Sequence, residues 1–161
     1  MSTKHPIISV TGSSGAGTST VKHTFEQIFR REDVRFVSIE GDAFHAFNRA
    51  DMKAAMTSAA KQGNNHFSHF GPEANLLEEL EAVFAEYARS GTGRTRHYVH
   101  DDEEAERYGC APGTFTDWQP FDADSDVLFY EGLHGAVVTE KVDIARHGDL
   151  KIGVVPVTNL E

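Results

Sequence analysis

A chain of 161 residues, 39% of them hydrophobic, is one domain's worth of polypeptide (residues 1–161) and can bury a core of its own. Its formal net charge of −10 argues against nucleic acid as the main partner, because a polyanion seeks a basic face. The single cysteine, Cys110, excludes an intrachain disulfide and any Cys-x-x-Cys metal pattern, and no apolar run approaches the ~20 residues of a membrane span, so a cytoplasmic protein is expected.

The first predicted element is a β-branched strand over residues 7–11. It feeds a glycine-rich turn, Gly12-Ser13-Ser14-Gly15-Ala16-Gly17-Thr18-Ser19-Thr20. The spacing Gly12-x4-Gly17-x-Ser19 matches the phosphate-binding pattern G-x-x-x-x-G-K-[ST] except at Thr18, which stands in the lysine's place. Such a loop turns backbone N–H groups toward phosphate oxygens, and glycines permit the dihedrals and close approach this needs. The Ser19 hydroxyl suits a phosphate-bound Mg²⁺. The plain alternative is an ordinary turn between strand and helix.

A helix over 19–31 follows, with Val21, Phe25, Ile28 and Phe29 on one apolar face. Lys22, one turn beyond Thr18, either replaces the missing lysine or is a solvated residue beside Glu26. A strand over 35–39 leads into Glu40-Gly41-Asp42. In open α/β folds ligands bind beyond the carboxyl ends of strands, so these acids are candidates for chemistry. Asp42, followed closely by His45 and Arg49, suits a base beside a phosphorylated substrate. The bland reading of Arg49 is a helix-start residue paired to Asp51 or Asp42.

Helices are expected over 50–61 and 73–89, the latter with Pro72 in its first turn and an apolar stripe of Leu76, Leu77, Leu80, Val83, Phe84 and Tyr87. A strand is expected over 95–99, then a long polar loop over 101–120. A strand over 127–130 runs into Glu131-Gly132, the hydrophobic-run-then-acid form that helps hold Mg²⁺ in phosphate-loop proteins. A short helix over 142–147 and a buried strand from 151 complete the pattern. Alternating strands and helices predict an α/β fold with a mostly parallel sheet. The last strand has no covering helix after it, which suggests a fragment or an edge covered by another subunit.

The acidic chain must gather its cations locally. Candidates are Arg30, Arg31, Arg49, Arg94, Arg96, His97 and His100. The histidine pairs His66/His69 and His97/His100 lack further ligands at suitable spacing, so no zinc site is expected.

Several segments together resemble the bacterial form of the phosphoribulokinase family. They are residues 11–20 of the loop, 39–45 (Ile-Glu-Gly-Asp-Ala-Phe-His), 47–51 (Phe-Asn-Arg-Ala-Asp), Ser68-His69-Phe70, Gly93-Arg94-Thr95-Arg96, Tyr98-Val99-His100-Asp101, Pro112-Gly113, 115–118 (Phe-Thr-Asp-Trp) and 129–135 (Phe-Tyr-Glu-Gly-Leu-His-Gly). The resemblance covers essentially the whole chain, and the family shares Thr at position 18. It implies a P-loop, nucleoside-monophosphate-kinase-like fold and phosphoryl transfer from MgATP to the 1-hydroxyl of ribulose 5-phosphate. It implies Asp42 as the base, the loop 12–20 as the ATP site, and Ser19 with Glu131 at Mg²⁺. His45, Arg49, Tyr98 and His100 are implied at the sugar-phosphate site, Arg31 at an allosteric site for an NADH-type effector, and a homo-oligomer as the assembly. Family members continue past the last strand, so the chain corresponds to a C-terminally truncated form whose own activity is in doubt. The rival readings are a uridine- or pantothenate-kinase-like enzyme, whose relatives normally keep the loop lysine, and a non-catalytic nucleotide-binding or assembly fragment.

Overall fold

The computed structural model describes residues 4–121 and 124–156; residues 1–3 and Val157, which the last predicted strand includes, lie outside them. Four strands form a parallel sheet in the order β2-β5-β1-β6: β1 (Ile7–Gly12), β2 (Phe36–Glu40), β5 (Val127–Gly132) and β6 (Leu150–Val154). The register sets Ile8 beside Phe129 and Leu150, and Glu40 beside Glu131. The expected parallel α/β sheet is thus present, and its acids sit on the last residues of two adjacent strands. No described helix is long and apolar enough to cross a membrane.

Alternation along β5 divides the core. Val127 and Phe129 face α1 (Thr18–Arg31), where they meet Phe29 and Phe25. Leu128 and Tyr130 face the opposite way, toward Leu80, Phe84 and Tyr87 of α3 (Leu77–Ser90). Both faces are covered, which is why the central strands read as continuous apolar runs. Full burial of each such side chain contributes roughly 1.5–3 kcal/mol. Ser9 is buried on the α3 face, and its hydroxyl donates to the Gly135 carbonyl at 3.0 Å.

Five local expectations change. The strand expected over 95–99 is replaced by β3 (Gly93–Thr95), which shares only Thr95 with it and lies outside the main sheet, paired antiparallel with β4 (Gln119–Phe121) at the end of the stretch expected to be a loop. The Arg96 guanidinium and Tyr98 ring turn inward to other partners, and Tyr98 keeps only a single bridge, to Phe115. The helix expected from 73 starts instead at Leu77. Pro72–Ala74 is a separate 3-10 turn, because the Asn75 side chain ties the chain to the His69 and Gly71 carbonyls. The polar stretch after 101 contains α4 (Asp102–Tyr108), capped by the Asp101 carboxylate accepting from the Glu104 N–H at 3.0 Å. The expected helix over 142–147 is a 3-10 turn, Ile144–His147, too short for an α-helix. Finally, β6 is an edge strand rather than a buried one, with β1 as its sheet neighbour and Leu150 exposed. The remaining helix, α2 (Arg49–Lys61), starts one residue before its expected position, capped by Asn48.

Candidate active site

The loop expected to bind phosphate stands between β1 and α1. Gly12 is irreplaceable sterically, since an added Cβ would lie 2.7 Å from the Val154 carbonyl oxygen and 2.8 Å from the Thr18 methyl group. Gly15 and Gly17 take φ of 80° and 96°, the left-handed region that glycine enters without strain. A Cβ at either would meet nothing within 4 Å, so the loop curves around open space. Among the described residues no side chain caps the N-terminus of α1, whose first N–H groups and positive dipole end suit an anion. This is a cradle that fits polyphosphate.

Ser13, Ser14, Gly15, Thr18 and Ser19 line a cavity of about 520 Å³. Ala16, Gly17 and Thr20 shape the loop without lining it; the Ala16 N–H turns back to the Ser13 carbonyl at 3.0 Å. Across the cavity stand Glu40, Asp42 and Glu131, carried there by the carboxyl ends of β2 and β5. The loop and the acids, far apart in sequence, therefore share one space.

Lys22 also lines this cavity, and its ammonium is paired with Glu40. The reading of Lys22 as a solvated partner of Glu26 is overturned: its side chain is only 16% exposed. Glu26 instead takes His23 at 3.5 Å and Arg30 at 3.7 Å. Burial is the largest influence and opposes the Lys22 charge, but the hydrogen bond to Glu40 and the attraction of Glu40, Glu26 and Glu131 together outweigh it and raise the pKa.

Asp42 is held from both sides. His45 Nε2 lies 3.2 Å from Oδ1, and His100 Nε2 lies 3.1 Å from Oδ2. The hydrogen bond from His45, with that from His100, outweighs burial and holds the Asp42 carboxyl down to about 2. Burial opposes protonation of His45 and His100 as well. Their bonds to Asp42, together with Asn75 for His45 and Glu104 for His100, nonetheless raise both pKa values.

The backing of this triad was not legible locally. Asn75 Oδ1 lies 2.9 Å from His45 Nδ1. Glu104 accepts from the His100 N–H at 2.7 Å and lies 3.1 Å from its Nδ1. Tyr98 packs edge-on against both rings, 6.2 Å from His45 and 5.0 Å from His100 between centroids. Arg96 donates to the Ala43 and His45 carbonyls, each at 2.8 Å, and its guanidinium lies over the rings of Phe115 and Trp118.

His69, Phe70 and His134 also line the cavity; His69 was weighed in the sequence only as half of a metal pair, Phe70 and His134 were not singled out by chemistry, and all three fall in the resembling segments. His134 is fixed by the Tyr130 hydroxyl, which accepts from its N–H at 3.2 Å, while its ring nitrogen lies 3.1 Å from the Phe70 carbonyl oxygen. Glu104 does have a sequence signal, the Asp101-x-x-Glu104 spacing of a helix N-terminus.

Arg49 is near the triad but not on it. Its guanidinium donates to the His100 carbonyl at 2.9 Å, and its own N–H donates to the Gly113 carbonyl at 2.8 Å. Pairing to Asp51 or Asp42 is not what holds it. Of the other candidate cations, Arg31 binds its neighbour Glu32 at the far end of α1, Arg94 binds Glu79, and His97 stacks on Tyr108.

Comparison with known proteins agrees with this geometry. Residues 7–161 match the model of the phosphoribulokinase / uridine kinase family. The chain is 71% identical over all its 161 residues to phosphoribulokinase 1 of Cereibacter sphaeroides, covering 56% of that protein. It is 66% identical to the phosphoribulokinase of Nitrobacter vulgaris over 98% of this chain and 54% of that protein. The solved structure of phosphoribulokinase from Rhodobacter spheroides superposes with a TM-score of 0.85 at 66% identity, over 96% of this chain and 52% of that one. The chain thus spans about half the length of the curated relatives it matches. With the matched residues running from the first strand past the last, the chain belongs to the phosphoribulokinase / uridine kinase family.

Proposed function

We propose that this chain carries the ATP and sugar-phosphate site of a phosphoribulokinase, which transfers the γ-phosphate of ATP to the 1-hydroxyl of ribulose 5-phosphate and yields ribulose 1,5-bisphosphate for carbon fixation. One observation carries the reading: a carboxylate kept ionised by two histidines shares a cavity with a phosphate-binding loop. The identity of 66–71% to proteins named phosphoribulokinase supports it.

In this reading the loop 12–20 cradles the triphosphate with its backbone N–H groups. The Ser19 hydroxyl and the Glu131 carboxylate would hold Mg²⁺. Bound MgATP supplies the phosphoryl group and the charge that offsets it. Asp42 orients the acceptor hydroxyl and takes its proton. A carboxylate of such low pKa is a weak base, which suits a loose transition state where positioning and electrostatics carry most of the catalysis. His45, His100, Tyr98 and Arg49 shape the sugar-phosphate end. Thr18 has no charge to give, and Lys22 is the cation placed to act in its stead.

The same reading extends to a homo-oligomer in the cytoplasm and to an NADH-type effector near Arg31. The test is an ATP-dependent assay offering ribulose 5-phosphate, uridine and pantothenate in turn. Phosphorylation or saturable binding of ribulose 5-phosphate in preference to the other two is expected. A preference for uridine or pantothenate overturns the reading.

A further inference from the structure

All four ring nitrogens of His45 and His100 face atoms that can only accept. His100 Nδ1 faces the Glu104 carboxylate at 3.1 Å, and its Nε2 faces the Asp42 carboxylate at 3.1 Å. His45 Nε2 faces the other Asp42 oxygen at 3.2 Å. Its Nδ1 meets Asn75 Oδ1 at 2.9 Å. The orientation of that amide is settled by its own partners. The Asn75 NH₂ donates to the His69 carbonyl at 2.8 Å and the Gly71 carbonyl at 2.7 Å, so a flipped amide would set oxygen against two oxygens. Ionised carboxylates and amide oxygens carry no proton to give. A neutral imidazole would leave one of its nitrogens facing an acceptor without a hydrogen. Only the doubly protonated ring satisfies every contact.

We propose that Glu104 and Asn75 are positioning residues that lock His100 and His45 as imidazolium rings on either side of Asp42, so that the acceptor end of the cavity admits a phosphate ester.

The charge balance shows why such a lock matters. Asp42 and Glu104 bring two negative charges to a chain whose formal net charge is already −10. With both rings neutral, a phosphate dianion would meet net repulsion there. Two ring protons cancel both carboxylates and remove that repulsion, while the ring N–H groups stay bonded to Asp42, Glu104 and Asn75. The remaining neighbours do not undo this. Tyr98 packs against both rings, His69 lies 6.5 Å from His45, and Arg96 and Arg49 reach the backbone carbonyls of His45 and His100. Burial is the largest influence against the protons, the charge of one ring opposes that of the other, and His134 faces His45 from the same cavity, but the hydrogen bonds and the attraction of Asp42 and Glu104 together outweigh these. The anionic-substrate half of the proposal rests on the function proposed above; the ring lock does not.

The test is nitrogen-resolved NMR of the histidine rings in the 161-residue chain at pH 6–9, with signals assigned by His45→Gln and His100→Gln. Both rings are expected to be imidazolium near pH 7.5, where an unperturbed histidine is mostly neutral. Glu104→Gln should lower the His100 midpoint by about one pH unit, the size expected for losing a charged hydrogen-bond partner, and leave the His45 midpoint in place. Asn75→Ala should do the reverse. Glu104→Asp should recover part of the His100 midpoint, which a merely structural role for the helix would not predict. Ribulose 5-phosphate titrated into Glu104→Gln should need about tenfold more ligand for half-saturation, with ATP unchanged. Because Asn75 also ties its loop, the exposed Glu104 variants decide the matter if Asn75→Ala fails to fold. Neutral rings at pH 7.5, or a His100 midpoint unmoved in Glu104→Gln, overturn the lock. Imidazolium rings with no saturable binding of ribulose 5-phosphate support the lock and overturn the substrate reading.

Discussion

Asp42 and His100 stand 58 residues apart in the chain, yet His100 Nε2 lies 3.1 Å from Asp42 Oδ2. Neither residue brings this about alone. Arg96 fastens the segment leading to His100 onto the carbonyls of Ala43 and His45, within the turn that follows Asp42. Arg49 then binds the His100 carbonyl from the start of α2. The carboxylate and its second histidine are thus brought together by two arginines that spend their donors on backbone.

Asp42→Asn should lower phosphoryl transfer by about 10²-fold or more, because the amide keeps the shape but cannot take a proton. ATP affinity should stay within about twofold, since Asp42 lies across the cavity from the loop; a general base that contributes 10²–10⁴-fold acts on turnover, not on nucleotide binding. Steady-state kinetics check this, and a loss well below 10²-fold removes Asp42 from the base role.

The same substitution carries a signature in pH. The Asp42 pKa falls from 3.8 to about 2 on folding, so its contribution to stability is full above 3.8 and is lost as pH falls toward 2. The raised pKa values of His45 and His100 act oppositely: their contribution is full below the ordinary value of 6.5 and is lost as pH rises through the folded values. Asp42→Asn should therefore destabilise the chain most near pH 5, with the gap narrowing on both sides. Urea denaturation from pH 3 to 9 measures the gap, and a constant difference across that range contradicts it.

Arg96→Lys should destabilise the protein by about 2 kcal/mol, from two lost hydrogen bonds to carbonyls and the lost stacking of the guanidinium. An ammonium cannot span both carbonyls and also lie over Phe115 and Trp118. Half-saturation by the acceptor should rise with it, because the turn holding His45 loosens. A stability change under about 0.5 kcal/mol, the range of ordinary surface substitutions, means Arg96 is dispensable.

Gly135→Ala should be among the most damaging single changes. The added Cβ would lie 2.1 Å from the Ser9 hydroxyl oxygen and 2.4 Å from the Tyr130 ring, both wholly buried. Overpacking of this kind costs about 1–3 kcal/mol or more, and it also breaks the Ser9 bond to the Gly135 carbonyl. Thermal melting reads the loss directly; an unchanged melting temperature would show that the segment shifts freely.

Lys22→Met should weaken ATP by about tenfold, the loss expected of one charge-assisted contact, and leave ribulose 5-phosphate affinity unaltered. Its ammonium is in the loop's cavity, and Thr18 leaves the usual lysine position without charge. An unchanged ATP affinity with reduced stability would assign Lys22 to holding Glu40 alone.

The local pattern of the chain determined the four strands of the main sheet, α1, α2 and the phosphate loop, because each depends on short-range rules. Apolar periodicity gave α1, a continuous apolar run gave β5, the glycine spacing gave the loop, and the acids at Glu40, Asp42 and Glu131 followed from where the strands ended. Boundaries failed where a side chain at a distance intervened, as when Asn75 broke the expected helix before Leu77. The long polar stretch hid α4 because its signal was a single cap, Asp101, rather than an apolar stripe.

Tertiary structure alone decided the pairings. Lys22 could meet Glu26 within α1 or Glu40 across to β2, and packing of α1 on the sheet selected Glu40. Asp42 could have been one more loop acid. Two imidazole rings, an amide and a carboxylate from segments scattered between residues 42 and 104 converge on it instead. Sequence encodes turns and periodicities between near neighbours, whereas the charge state of a group depends on which atoms surround it in space.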